Sequence, residues 1–216
     1  MKKNNLVVLA VALMVAAFAS AAFLYNSQQS QSQENRTKDN SDALIQTYSF
    51  RMGNPDAKVT IVEFMDPACE TCKHFHPFVK DLIRKNSGKI NLVIRYAPFH
   101  KGSDYMVKIL EAARKQHKFR QVLDLMFETQ SVWASHHNPQ PELFLDILER
   151  KGYDIARIKK DMQNPAIQKI IDQDLADGAR LGANKTPTFF VNGKPMPSFG
   201  YNQLRELVNT EVTANY

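Results

Sequence analysis

Cys69-Glu70-Thr71-Cys72 holds the only two cysteines of this 216-residue chain, three positions apart. Thiols at that spacing can join and part as a disulfide without large backbone movement, as thiol–disulfide exchange requires. As a structural staple the same bridge would do little. Chain entropy gives about 2 kcal/mol for so small a loop, against about 5 kcal/mol for a loop of about 100 residues. Redox chemistry is the better use of the pair, with Cys69 the sulfur met by a partner and Cys72 the sulfur that closes or resolves the bond.

Other reactive side chains lie close by in sequence. Glu63 stands six residues before Cys69 inside the apolar run Val59–Phe64, where a carboxylate costs free energy unless it is partnered or protonated. Either it is solvated or neutralised by a base such as Lys73, or it accepts a proton near the Cys72 sulfur. Glu70 adds negative charge beside Cys69, and His74 and Lys73 can offset it, so Glu70, Thr71 and His74 are expected to tune the pair. His74 and His76 also raise the question of a metal. On a helix Cys72 and His76 share a face while His74 turns away, so no tetrahedral zinc site is expected. A soft ion such as Cu(I) on the two thiolates is the alternative.

The elements that must position these groups can be read from periodicity. Val59–Phe64 reads as a central strand after the turn cluster Gly53-Asn54-Pro55-Asp56. Apolar residues Phe75, Phe78, Val79, Leu82 and Ile83 form a helical stripe starting at the cysteines, with Pro77 predicting a kink. Residues 90–97 form the next strand, which makes a parallel βαβ unit. The first cysteine therefore sits at a helix start, where free N–H groups and the helix dipole favour its thiolate. Helical patterns cover 105–115, 119–130 and 141–151, and another helix opens at Asn164-Pro165 and ends near Gly182. Trp133 and the pair His136-His137 read as a polar surface loop. Thr188–Val191 is a strand, Asn192-Gly193 a hairpin turn, and 201–212 a closing helix. The layout is α/β, with βαβ and ββα halves and a helical insertion at about 103–182; a C-x-x-C beside the βαβ unit makes a thioredoxin fold the expectation.

Gly53-Asn54-Pro55-Asp56-Ala57, the strand at 59–64, the two cysteines and Thr186-Pro187-Thr188-Phe189-Phe190 together resemble the DsbA-like branch of the thioredoxin superfamily. The resemblance covers roughly residues 47–212. It implies that Pro187 is cis and lies against the active-site disulfide, that Thr186 offers its backbone to bound substrate, and that Glu63 corresponds to the family's buried acid. It also implies a protein disulfide oxidoreductase that needs no cofactor beyond the Cys69–Cys72 disulfide. Exported proteins with cysteines would be its substrates, and a membrane redox partner would recycle it. Disulfide donation is the expected direction; reductase or isomerase activity, or copper handling as in some relatives, are the alternatives.

Composition bounds the rest. Hydrophobic residues make up 44% and charged residues 23%, ordinary for a globular domain. Setting aside Lys2 and Lys3 leaves 26 basic against 22 acidic residues, scattered and without interleaved aromatics, which argues against nucleic acid as a partner. Lys2 and Lys3 precede the uncharged run Leu6–Tyr25, a signal peptide or an uncleaved membrane anchor occupying residues 1–25. Either sends the remainder out of the cytoplasm, to the periplasm or the outer face of the membrane. Residues 26–42 are almost without apolar side chains and read as a flexible polar linker; 43–216 is the folded domain. The linker is too short and too polar for a dimerisation domain, so a monomer is expected.

Overall fold

The computed structural model describes residues 20, 43–134 and 139–216. Apart from Ser20, the expected signal or anchor segment, the linker at 26–42 and the His136-His137 pair lie outside the described residues. Among the described residues no helix is long and apolar enough to cross a membrane. Residues 43–216 form one compact unit.

Two strands, β1 (Phe50–Gly53) and β2 (Val59–Met65), lead to helix α1 (Glu70–Lys85) and strand β3 (Ile90–Tyr96). The insertion follows as α2 (Ser103–Arg114), α3 (Phe119–Glu128), α4 (Gln130–Trp133), α5 (Pro141–Arg150), α6 (Ile155–Met162) and α7 (Pro165–Arg180). The chain then returns to the sheet with β4 (Thr188–Val191) and β5 (Lys194–Pro195) and closes with α8 (Tyr201–Asn215). The sheet order is β1-β3-β2-β4-β5. β2 and β3 are parallel, as the α1 crossover demands, and the other pairings are antiparallel. The fold is that of thioredoxin with a helical insertion, as expected. Helix α1 runs through Pro77 to Lys85.

Alternation along β2 sorts the core into two faces. Val59, Ile61 and Met65 join Cys72, Phe75 and Val79 of α1 and Leu204 and Val208 of α8 in one cluster. Val62 and Phe64 turn to the other side with Leu44, Val93, Ala183 and Phe190. Glu63 has the parity of Ile61 and Met65, so it belongs to the face that α1 covers. It stands opposite Ile94 on one neighbouring strand and Phe189 on the other. Helix α7 crosses the second face so closely that a Cβ on Gly178 would lie 3.3 Å from the Phe64 ring.

Arg95 ties the second face together. Its guanidinium is fully buried and pairs with Asp174 and Asp177 of α7, both at 2.7 Å, while also donating to the Ala43 and Leu44 carbonyls. Such a network holds its geometry only because each donor has an acceptor.

Three features depart from the sequence reading. Strand β1 is new: at four residues it is too short to show alternation, and it is held by pairing with β3 and by the Phe50–Phe119 stack, centroids 3.8 Å apart. Helix α6 is also new, its start marked by the Asp154 side chain accepting from the Arg157 amide. Trp133 is not in a surface loop: it is fully buried, packs on Phe144 and donates its indole N–H to the Met126 carbonyl at 3.0 Å.

Candidate active site

The turn between β2 and α1 carries the reactive pair. Cys69 is the N-cap of α1 with extended backbone (φ −74°, ψ 119°), and its carbonyl accepts the first helical bond from the Lys73 amide. The Cys69 side chain makes no capping hydrogen bond of its own, but the Thr71 and Cys72 amides at the start of the helix bear on its sulfur and favour the thiolate. Both cysteines are buried and, in this structure, free thiols. Asp66 braces the turn from below. Its fully buried carboxylate accepts from the amides of Ala68, Phe99 and His100, from the His100 ring and from the Ser103 hydroxyl. From the insertion, Gln130 donates to the Pro67 and Cys69 carbonyls at 2.8 and 3.1 Å.

The two thiols are strongly unlike. A hydrogen bond from the Cys72 thiol lowers Cys69 to about 5, against the burial that opposes it; the Thr186 hydroxyl and the Cys72 and Thr71 amides add to the lowering. Cys72 is pushed well above its ordinary value, first by burial, then by the bond it donates to Cys69 and by the charges of Glu63 and Cys69. Cys69 is therefore the thiolate near neutral pH and Cys72 the proton-holding partner. Burial, with the Cys69 charge in support, raises Glu63 to about 8. Among the described residues no basic side chain pairs with Glu63, so neutralisation by Lys73 is not what the structure has. A carboxyl poised there can exchange a proton near neutral pH on the face that holds Cys72.

Thr186 and Pro187 come to the pair from the opposite end of the sequence. The Thr186–Pro187 peptide is cis, and the Cys69 thiol approaches the Thr186 carbonyl at 3.4 Å. Beside them lies a cavity of about 250 Å3 lined by Pro187, Phe189, Met196 and Phe199 among others. Phe99, Val132 and Phe199 are each about half exposed. Two of them adjoin the site: Phe99 through its bond to Asp66, and Phe199 in the Pro187 cavity.

The structure thus brings together Cys69, Cys72, Glu63, Thr186 and Pro187. Thr71 contributes its backbone rather than its side chain. Glu70 and His74 are exposed, and neither is among the groups that set the Cys69 thiol. His76 is instead a buried structural residue, 2.6 Å from Asp124. Asp66 and Gln130 were not singled out from sequence. Asp66, three residues before Cys69 and just past an apolar strand, carried the same signal as Glu63; Gln130 carried none.

Comparison with known proteins agrees with this geometry. Residues 46–210 match the family model described as Thioredoxin. The chain is 26% identical over 196 residues to disulfide bond formation protein D of Bacillus subtilis, covering 82% of this chain and 85% of that one. It is 32% identical over 142 residues to a Na(+)/H(+) antiporter NhaA of Herminiimonas arsenicoxydans, but spans only 22% of that protein's length. Among solved structures, a thioredoxin-like oxidoreductase from Silicibacter pomeroyi superposes with a TM-score of 0.68 at 28% identity, over 78% of this chain and 95% of that one. The expected kinship with thioredoxin-fold proteins of disulfide bond formation is borne out. With its matched region extending over well more than half of its length, the chain belongs to the thioredoxin family.

Proposed function

We propose that this protein is an extracytoplasmic thiol–disulfide oxidoreductase that donates the Cys69–Cys72 disulfide to exported proteins. The observation that carries the direction is the low Cys69 thiol, about 5. A stabilised thiolate favours the reduced protein, which makes the disulfide form an oxidant. The substrate thiolate attacks the Cys69 sulfur, the Cys69–Cys72 bond breaks, and Cys72 leaves with its electron pair, taking up a proton that Glu63 can supply. A second substrate thiolate attacks the substrate sulfur of the mixed disulfide, releasing oxidised substrate and the Cys69 thiolate. Substrate is thereby oxidised and the pair reduced, so a membrane redox partner must withdraw two electrons for another turnover.

A polypeptide substrate fits the surroundings. Phe99 and Phe199 offer apolar contact to an unfolded chain, and the Thr186 backbone can meet its main chain. The apolar run Leu6–Tyr25 supports export or membrane tethering of the domain. The test is the reduction potential of the pair, measured against glutathione, together with reactivation of a reduced, unfolded protein. A thiol near 5 lies between those of thioredoxin and the strongest oxidants, so the potential is expected between about −270 and about −120 mV. A value below about −270 mV, with no reactivation, would overturn the donor reading.

A further inference from the structure

Gln130 belongs to the insertion, yet it spends both amide hydrogens on the redox turn. It is 2% exposed; its Nε2 donates to the Pro67 carbonyl at 2.8 Å and to the Cys69 carbonyl at 3.1 Å, across more than 60 residues of sequence. No other side chain among the described residues donates to either carbonyl in the bonds seen here. The Cys69 carbonyl is also the acceptor that starts α1, taking the Lys73 amide at 3.2 Å. Where that carbonyl points fixes the ψ of Cys69, and with it how the Thr71 and Cys72 amides, which favour the Cys69 thiolate, are set relative to the sulfur. From this double clamp we infer that Gln130 is a positioning residue for disulfide exchange, holding the Cys69 turn so that the α1 amides keep their setting relative to the reacting sulfur.

The inference rests on the oxidoreductase reading above. It differs from ordinary packing, because packing alone predicts that any equal loss of stability in the insertion would have the same effect on the thiol. Releasing the clamp lets the turn relax while leaving Cys69, Cys72, Glu63 and Thr186 in the chain. The consequence falls on the fraction of Cys69 present as thiolate and on the rate of exchange, not only on unfolding.

The experiment compares the full-length protein with Gln130→Met, which keeps the length and removes both donors, and with Phe144→Leu, a core change in the same insertion. The Cys69 thiol is titrated by its alkylation rate, and the rate of oxidation of a reduced cysteine peptide is followed. Gln130→Met is expected to raise the thiol by about one unit, about tenfold less thiolate at acidic pH, and to slow peptide oxidation, while Phe144→Leu leaves both as in the parent. An unchanged thiol in Gln130→Met, or an equal change in both variants, overturns the inference. If Gln130→Met does not fold, Gln130→Leu, which likewise lacks both donors, is read in the same way: the same rise of the thiol is expected, and parental values overturn the inference. A parent protein that does not oxidise the peptide at all overturns the oxidoreductase reading instead.

Discussion

The Cys69 thiol lies 3.4 Å from the Thr186 carbonyl, a contact made across 117 residues of sequence. It joins the two halves of the fold at the reactive pair: the N-cap of α1 from the first half, and the turn entering β4 from the second. Thr186 also brings its hydroxyl to the sulfur, one of the groups that lower the thiol.

Removing that hydroxyl with Thr186→Val keeps the shape and the backbone contact. A hydrogen bond to a charged group contributes about 1.5–3 kcal/mol, so the Cys69 thiol is expected to rise by about one to two units. The disulfide then becomes less oxidising. Thiolate absorbance followed against pH checks the first outcome and glutathione equilibration the second.

Cys72→Ser leaves the Cys69 thiolate without its resolving partner. It also removes the thiol whose hydrogen bond is the largest contribution to the low Cys69 value, although a serine hydroxyl can donate in its place. The variant is expected to accumulate mixed disulfides with substrate proteins, while Cys69→Ser forms none. Non-reducing gels with and without a thiol reductant check both.

Glu63 and Cys69 push the stability of the reduced protein in opposite directions with pH. Glu63 is raised from 4.5 to about 8, so its favourable contribution is complete below about 4.5 and lost as pH rises through about 8. Cys69 is lowered from 9.0 to about 5, so its contribution is complete above about 9 and lost as pH falls through about 5. Between pH 5 and 8 the two offset. Glu63→Gln removes one side of that balance. The reduced variant should gain stability as pH rises from 5 to 9, where the parent is nearly flat. At pH 9 the net gain should be about 2 kcal/mol, after about 1–3 kcal/mol for a buried, unpaired amide. Urea unfolding at a series of pH values measures it. If Glu63 moves the Cys72 proton, the pH dependence of exchange must change as well.

How much of this could be read from the sequence depended on whether a signal was local. The cysteine pair, the strand carrying Glu63, and the Asn192-Gly193 turn, whose residues both take positive φ, each declare themselves within a few residues. So does the helix start that activates Cys69. The role of Gln130 does not, because its acceptors are main-chain carbonyls more than 60 positions away and a glutamine on a short helix has no distinguishing pattern. Trp133 misled for the same reason: its neighbours Gln130 and Ser131 are polar, and only the packing of α4 against α5 shows that the ring is enclosed. Glu70 is a different case. Its place between the cysteines is what singles it out in sequence, while the groups seen to lower the Cys69 thiol, Cys72, Thr186 and main-chain amides, show only once the chain is folded.

Asp66 is the remaining test of how the site is held. Its carboxylate accepts bonds from Ala68, Phe99, Ser103 and, twice, His100, and its own carbonyl accepts the Cys69 amide at 3.1 Å. Asp66→Asn keeps the volume but replaces one acceptor oxygen by an NH2 group, which must face either the Phe99 and His100 amides or the Ala68 amide and Ser103. Two donors then point at a donor in a fully buried site. Leaving buried donors unmatched costs about 1–3 kcal/mol each, so a loss of about 3 kcal/mol is expected in urea unfolding. Because the carboxylate holds the turn that ends in Cys69, peptide oxidation should slow even at temperatures where the variant is fully folded. Asp66→Asn with parental stability would mean that the five bonds are not what fixes this turn.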